Sequence, residues 1–350
     1  MRSSSLSLIA LGLFSLSSYA VENGTPVDWN QQDNTVRLES SNNANMYCTA
    51  TLISGSYALT AAHCLDGNEI DHIDTASNNT LQISQQLIHP NYVENGGFST
   101  EDIGIVKVEH QVDYHNIQFL SIDEHIKGES ITIAGFGDTI ETLNSANFTF
   151  SHYYPNPSDP DNPFVVYADM VNDSHTTGGD SGSAWVNEND EIMAIHKGST
   201  HYTSGERKTY GTDIQAVKDF ITDNIDAWHY PTLVDADRKT TITVQSLHRD
   251  GIVDTAYVDG DVTLNSDEST CMTHDGLIEP FEKCTYVIES TGSEGALYLS
   301  DSEVIHINKP IENTGGGDSG NNNTDNDDNG GSMGFWSLLL LGVATLRRKR

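Results

Sequence analysis

Positive charge is scarce in this 350-residue chain, which has 17 Lys and Arg residues against 51 Asp and Glu residues. The formal net charge is −34, so the surface repels phosphate backbones and nucleic acid is excluded as a partner. We interpret the acidic surface as a solubility feature of an exported protein, not as a binding function. Hydrophobic residues still make up 36% of the chain, which is enough to build packed cores.

An apolar run of membrane-spanning length is missing at the N-terminus. The run there covers only residues 6–16, whereas a spanning helix needs about 20 residues. It follows Arg2 and precedes a small-x-small motif that ends at Ala20, which is the pattern of a secretory signal peptide. Residues 1–20 are therefore predicted to be removed by signal peptidase during export. A membrane anchor is the weaker alternative.

Low-complexity sequence occupies the other end of the chain. Residues 313–332 are rich in Gly, Asn and Asp and cannot bury a core, so they predict a flexible linker. Residues 333–350 join an apolar run to the basic end RRKR, which predicts a cytoplasmic end for this tail. The tail resembles the GlyGly-type C-terminal sorting signals of Gram-negative bacteria. That resemblance implies a transient inner-membrane tether, removal by a rhomboid-type intramembrane protease and type II secretion. A permanent anchor, and with it a tethered structural protein of the envelope, is the alternative.

Cysteines are few and metal-ligand patterns are weak. Four cysteines are typical of an oxidising compartment, and without a C-x-x-C pair they argue against a metal site. Four cysteines permit three pairings, and their grouping along the chain favours Cys48–Cys64 and Cys271–Cys284. Acidic residues cluster over 66–74, where a calcium loop is one interpretation and solvated surface acids are the preferred one. We therefore predict no metal and no cofactor.

Short apolar runs separated by turn residues extend from residue 21 to about residue 229, a pattern typical of a β-barrel or β-sandwich. Near the end of this range, apolar residues recur at helical spacing over 214–225. A second set of alternating segments over 234–312 predicts a small β-sandwich of the immunoglobulin type. The pattern thus predicts a large β domain at 21–229 and a small one at 234–312.

Three motifs carry the groups that peptide-bond hydrolysis needs, namely a nucleophile, a base and a carboxylate that orients the base. LTAAHC places His63 after an apolar strand, EDIGIVKV places Asp102 before one, and TTGGDSGSAW surrounds Ser181 with glycines. Each residue alone is more often structural. Together, in the order His, Asp, Ser, they predict a catalytic triad.

In these motifs the sequence resembles the trypsin/chymotrypsin family over residues 21–228. The resemblance implies an all-β fold of two six-stranded barrels with the active site between them. It also implies an oxyanion hole formed by the N–H groups of Gly179 and Ser181, and a disulfide between Cys48 and Cys64 that pins the histidine loop. Protein or peptide substrates follow from the resemblance, and we expect a monomer. A protease homologue that serves as a binding or adhesion module is the alternative, although such homologues generally lose a triad residue.

The start of the predicted mature chain is similar to the Ile-Val-Gly-Gly opening of the same family. The similarity implies that the ammonium group of Val21 folds inward and pairs with Asp180, which precedes Ser181. Because Val21 follows the predicted signal cleavage site, signal peptidase itself would activate the enzyme. Glu22 departs from the apolar residue that is usual at the second position.

The residues of the predicted specificity pocket differ from those of trypsin. His175 stands six positions before Ser181, where cleavage after Arg or Lys requires a buried Asp. TTGGDSGS and the later IHKG resemble the bacterial glutamyl endopeptidases, and the residues that bind the substrate carboxylate there match Thr176 and His196. This resemblance implies cleavage after Glu or Asp, with cleavage after Arg or Lys as the alternative. Lys197, where that subfamily has Trp or Ser, is expected to point to solvent.

Overall fold

The computed structural model describes residues 21–67, 69–93, 100–155, 163–205 and 207–310. The predicted signal peptide (1–20), linker (313–332) and sorting tail (333–350) lie outside the described residues. Within the described ranges, no helix is both long enough and apolar enough to cross a membrane.

The first barrel is built by strands whose apolar side chains alternate inward. Its region contains β1 (Thr25–Pro26), a 3-10 helix (Trp29–Gln32), β2 (Thr35–Glu39), β3 (Tyr47–Ile53), β4 (Tyr57–Thr60), α1 (Ala62–Leu65), β5 (His72–Asp74), β6 (Thr80–Ile88) and β7 (Gly104–Val108). The strands close antiparallel in the order β2-β3-β4-β7-β6-β5. Val36 and Leu38 of β2 and Ala50 and Leu52 of β3 are buried in its core.

The second barrel follows directly along the chain. Its elements are β8 (Phe119–Leu120), β9 (Ser130–Gly135), β10 (Asn144–Tyr154), β11 (Val165–Met170), β12 (Ala184–Asn187), β13 (Glu191–His201), β14 (Arg207–Asp213) and α2 (Ile214–Ile225). Six strands close in the order β9-β10-β11-β14-β13-β12, while β1 joins β10 and β8 joins β13. The helical spacing over 214–225 is confirmed, since α2 covers that range and buries Ile214, Val217 and Ile221.

Two further sheets lie beyond the barrels. Their strands are β15 (Trp228–His229), β16 (Leu233–Val234), β17 (Lys239–Ser246), β18 (Tyr257–Gly260), β19 (Thr263–Leu264), β20 (Lys283–Glu289), β21 (Gly295–Ser300) and β22 (Glu303–Ile307). They form the sheets β15-β17-β20-β19 and β16-β22-β21-β18, which share a core containing Trp228, Val244, Tyr286 and Leu297. The shared core makes the two sheets a β-sandwich, and the immunoglobulin type of this sandwich stays a prediction.

The predicted all-β fold of two six-stranded barrels followed by further sheets is confirmed. Both favoured disulfides are present, Cys48–Cys64 and Cys271–Cys284. The domain limits stay predictions, and the first strand of the sandwich, β15, begins inside the range 21–229 that was predicted for the large domain.

Buried polar contacts attach the sandwich to the second barrel. Gln245 of β17 is only 1% exposed, and its Oε1 accepts a hydrogen bond from the N–H of Leu120 at 2.9 Å. Its Nε2 donates to the Leu120 carbonyl at 2.8 Å and to the Phe281 carbonyl at 3.0 Å. The side chain therefore satisfies both backbone groups of one residue in β8, as a neighbouring strand would.

Candidate active site

A disulfide fixes the position of His63. The residue lies on α1, a single turn that is too short to be stable alone. The Cys48–Cys64 bond joins α1 to β3 with a Cα–Cα distance of 6.2 Å. His63 is thereby held against the first barrel.

Asp102 bonds His63 at two points. Asp102 Oδ2 lies 2.8 Å from His63 Nδ1, and Oδ1 accepts from the backbone N–H of His63 at 2.9 Å. Burial of Asp102, which is 3% exposed, would raise its pKa, but the hydrogen bonds and charge of His63 lower the pKa below its usual value. The ionised carboxylate holds the proton of the ring on Nδ1, which leaves Nε2 free to act as a base.

Backbone contacts bring Ser181 to the same end of the first barrel. The carbonyl of Ser181 accepts from the N–H of Thr49 at 2.9 Å, next to Cys48 on β3. The same carbonyl lies 3.8 Å from Cys64 Sγ, the residue after His63. The structure therefore gathers the three predicted triad residues around one disulfide.

The predicted oxyanion hole rests on the backbone of Gly179. Its φ of +101° lies in the region that favours glycine, and a Cβ there would be 2.3 Å from Tyr47 Cε2. Its carbonyl accepts from Thr49 Oγ1 at 2.9 Å, which orients the next peptide group. Among the described residues, no acceptor is bonded to the N–H of Gly179 or Ser181, so both can donate to a developing oxyanion.

The backbone N–H of Val21 lies in contact with Asp180, the residue with which the Val21 ammonium group is expected to pair after cleavage. Asp180 is fully buried and accepts from the N–H groups of Gly137 and Thr177, both at 2.8 Å. Burial raises its pKa to about 7, against the effect of these donors and of the backbone N–H of Val21. In the full-length chain Val21 contributes a neutral amide to this contact, not an ammonium group.

His175 is engaged by the N-terminal segment. Its Nε2 lies 2.9 Å from Glu22 Oε2, its Nδ1 lies 3.1 Å from the Asp173 carbonyl, and its N–H donates to the Glu22 carbonyl at 3.0 Å. Both ring nitrogens of His175 therefore face oxygen acceptors, one on Glu22 and one on Asp173. Sequence reasoning missed this pair, although Glu22 and His175 each depart from the family pattern.

Thr176 and His196 offer unused polar groups. Thr176 Oγ1 is buried without a hydrogen-bond partner among the described residues. His196 is also buried, and its Nδ1 accepts from Trp185 Nε1 at 3.4 Å. Burial lowers the pKa of His196 to about 3, with the charge of His63 acting in the same direction. The ring is therefore neutral, with its proton on Nε2.

The expectation that Lys197 points to solvent is wrong. The residue is 9% exposed, and its Nζ donates to the Thr100 carbonyl at 2.7 Å. The pairing of β13 with β14 shifts register between His196 and Gly198, so Lys197 is the extra residue of a bulge. A bulge re-aims one side chain against the alternation of its strand, which explains the inward direction.

The acidic segment 66–74 takes part in ion pairs with side chains of the first barrel. Arg37 bonds Glu39 and also Asp74, the latter at 3.0 Å. His72 Nδ1 lies 2.5 Å from Asp71 Oδ1. Glu39, His72 and Asp74 could place ligand atoms within 4.8 Å of one another, but the guanidinium of Arg37 already lies against both carboxylates. This arrangement favours an ion-pair cluster over a calcium loop.

Comparisons with known proteins relate the barrels to one family. The profile of the family described as Trypsin matches residues 21–221. The CLIP domain-containing serine protease B10 of Anopheles gambiae is 29% identical over 126 residues, which are 26% of this chain and 34% of that protein. An uncharacterized peptidase of Corynebacterium glutamicum is 27% identical over 158 residues, which are 43% of this chain and 52% of that protein. The chain thus matches about half or less of the length of these relatives.

Two solved structures are similar as well. Mouse neuropsin, a serine protease of the limbic system, has a TM-score of 0.49 and 19% identity, with coverage of 58% of this chain and 99% of neuropsin. The VesB protease of Vibrio cholerae has a TM-score of 0.47 and 17% identity, with coverage of 81% of this chain and 98% of VesB.

Proposed function

Because the chain belongs to the trypsin family, we propose that it is a serine endopeptidase that cleaves peptide bonds through an acyl-enzyme on Ser181. Ser181 Oγ attacks the carbonyl carbon while His63 Nε2 accepts its proton and then passes it to the leaving amine. Asp102 holds the ring and stabilises the imidazolium. The N–H groups of Gly179 and Ser181 bind the oxyanion. The two-point bond between Asp102 and His63 is the observation that carries this proposal.

Replacement of the nucleophile tests this activity. Ser181→Ala should fold normally and lower kcat by about 10⁴-fold or more, because only the attacking oxygen is lost. Hydrolysis of casein and of chromogenic peptides gives the readout. A folded wild-type chain that starts at Val21 and cleaves none of them would favour a binding module instead.

Export and activation form the second part of the proposal. Signal peptidase would cut after Ala20, and the new ammonium of Val21 would pair with Asp180. The contact of Val21 with Asp180 supports this step. The tail 333–350 would then tether the protein until an intramembrane protease removes it, which releases the enzyme to the surface or the medium of a Gram-negative bacterium. N-terminal sequencing of the exported protein tests the cleavage site, and an active enzyme that begins elsewhere would contradict it.

Selectivity for Glu or Asp before the scissile bond is the third part. The hydroxyl of Thr176, which has no partner among the described residues, and the Nε2–H of neutral His196 are hydrogen-bond donors. A substrate carboxylate could accept a hydrogen bond from each of them. An Arg or Lys side chain offers no acceptor and would leave both donors unpaired. The acid nearest to the trypsin-type position, Asp173, is exposed.

A peptide library that varies the residue before the scissile bond tests the selectivity. We expect the highest kcat/KM for Glu, and we expect Thr176→Val to lower that value by about 10- to 100-fold, the effect of one hydrogen bond to a charged group. Thr222→Val is the matched control, because Thr222 is also buried but bonds only its own helix. Preference for Arg or Lys would overturn the selectivity proposal and leave the protease proposal standing.

A further inference from the structure

Lys197 is a buried cation that the reaction described above does not use. It occupies the bulge of β13 between His196 and Gly198, so it lies at the edge of the predicted substrate pocket. Burial of a lysine is unfavourable unless its ammonium group finds acceptors and opposite charge. The partners of Lys197 therefore indicate what its burial stabilises.

The ammonium group of Lys197 bonds the segment that carries Asp102. Nζ donates to the carbonyl of Thr100 at 2.7 Å, two residues before the triad carboxylate. Thr100 is anchored in turn, because its Oγ1 accepts from the N–H of Val93 at 2.7 Å and donates to the Asn91 carbonyl at 2.8 Å. Lys197 thus connects β13 of the second barrel to the chain that enters β7 of the first.

A second contact from the same barrel holds this segment. Thr212 Oγ1 of β14 donates to the carbonyl of Asp102 at 3.0 Å. The bonds from Lys197 and Thr212 hold the backbone carbonyls of Thr100 and Asp102. His63 bonds the side-chain carboxylate of Asp102. Loss of the Lys197 bond would leave the Thr100 carbonyl, two residues before Asp102, without this contact.

The charge of Lys197 also acts on the triad. Burial lowers the pKa of Lys197, while the negative charges of Asp102 and Glu101 oppose that effect. The cation helps His63 to lower the pKa of Asp102. His196 also faces His63 and Asp102, and its ring is neutral because burial lowers its pKa to about 3. A cation beside Asp102 competes with protonated His63 for the same carboxylate, so it favours the neutral, basic form of His63.

We propose that Lys197 is a positioning residue of the catalytic site, which clamps the Asp102 segment through Thr100 and keeps His63 unprotonated to lower pH. This inference rests on the proposed serine-protease function. It assigns a role within that reaction to a residue that touches neither the nucleophile nor the substrate. Its two consequences, one for geometry and one for charge, can be measured separately.

Lys197→Met keeps an unbranched side chain up to its Cε but removes the ammonium group, and with it the charge and the donor. We expect the acidic limb of the pH profile of kcat/KM to move to higher pH by about 0.5 to 1 unit. We also expect kcat to fall about three- to tenfold with little change in KM, because the clamp acts on the catalytic groups. Lys197→Arg retains the charge and should return the acidic limb to its wild-type position.

Lys107→Met is the matched control, since Lys107 lies on β7 after Asp102 but stacks on Tyr57. It should leave both kcat and the pH profile unchanged. Lys197→Gln, which keeps a donor without the charge, replaces Lys197→Met if the latter does not fold. An acidic limb at its wild-type position in a folded Met or Gln variant would overturn the inference.

Titration of the His63 ring by NMR separates this inference from the proposed function, because it needs no turnover. We expect the ring resonances of Lys197→Met to titrate at higher pH than those of the wild type. Wild-type protein without hydrolytic activity would refute the protease, yet the same titration would still test Lys197. Identical titration curves in both proteins would refute the role of Lys197, whatever the activity.

Discussion

Retention of a single residue ahead of Val21 should make the folded protein lose stability as pH rises. Asp180 is fully buried, and in such a chain its donors are neutral backbone amides. Burial raises the pKa of Asp180 from 3.8 to about 7. That displacement corresponds to about 4 kcal/mol of unfolding free energy.

The sign of this pH dependence follows from the raised pKa. Well below pH 3.8, the Asp180 carboxyl is protonated in both the folded and the unfolded chain, so its burial has no ionisation cost. As pH rises toward 7, Asp180 ionises in the unfolded chain but stays protonated in the folded chain. The free energy of unfolding therefore falls by the full amount of about 4 kcal/mol. In a chain that begins at Val21, the ammonium group supplies the opposite charge, which lowers the pKa of Asp180 and removes the loss.

Urea unfolding of two proteins checks the magnitude, one starting at Val21 and one with an added Ala before it. Both carry Ser181→Ala to prevent self-cleavage. We expect similar unfolding free energies at pH 4 and a deficit of about 3 to 4 kcal/mol for the extended protein at pH 8. Asp180→Asn in the extended protein should remove the part of the pH dependence that distinguishes it from the protein starting at Val21. If the unfolding free energies of the two proteins changed with pH in the same way, the pairing of the Val21 ammonium group with Asp180 would be refuted.

Three further predictions concern contacts outside the triad. Glu22→Gln should lower the unfolding free energy by about 1 kcal/mol, because it removes the carboxylate partner of His175 at a half-exposed position; an unchanged urea midpoint would contradict the pair. Gln245→Ala should lower the unfolding free energy by about 2 to 5 kcal/mol, because it leaves the N–H and the carbonyl of Leu120 unpaired. An unchanged thermal midpoint would show that Gln245 does not anchor the sandwich. Deletion of residues 333–350 should leave kcat/KM of the purified enzyme unchanged, and loss of activity would assign the tail a role in the folded enzyme.

Local motifs account for the part of the site that could be predicted from the sequence. His63 and Ser181 each lie within a few residues of the cysteine or glycines that fix their backbone, so their surroundings can be read from a short stretch of sequence. The two disulfides were favoured for the same reason, since each pair is separated by 16 or 13 residues. Contacts between residues so close along the chain can be recognised from a single sequence.

Contacts between residues that are far apart along the chain could not be predicted from the sequence. Glu22 and His175 are 153 residues apart, and Leu120 and Gln245 are 125 residues apart. Glu22, His175 and Gln245 are polar and look solvent-exposed when each is considered alone, whereas Leu120 takes part only through its backbone groups. The bulge at Lys197 is not visible in the sequence either, because strict alternation along a strand would direct Lys197 and His196 to opposite faces. The first strand of the sandwich, β15, has only two residues, which is too short to show alternation in the sequence.

Covalent labelling of the enzyme that begins at Val21 tests the central claim most directly. A fluorophosphonate reacts only with a serine whose proton is taken by a base and whose oxyanion is stabilised. Mass spectrometry of the labelled chain should find one adduct, on Ser181, and neither Ser181→Ala nor His63→Ala should acquire it. A folded protein that takes up no label, or takes it up equally in the Ser181→Ala variant, would contradict the assignment of a serine endopeptidase.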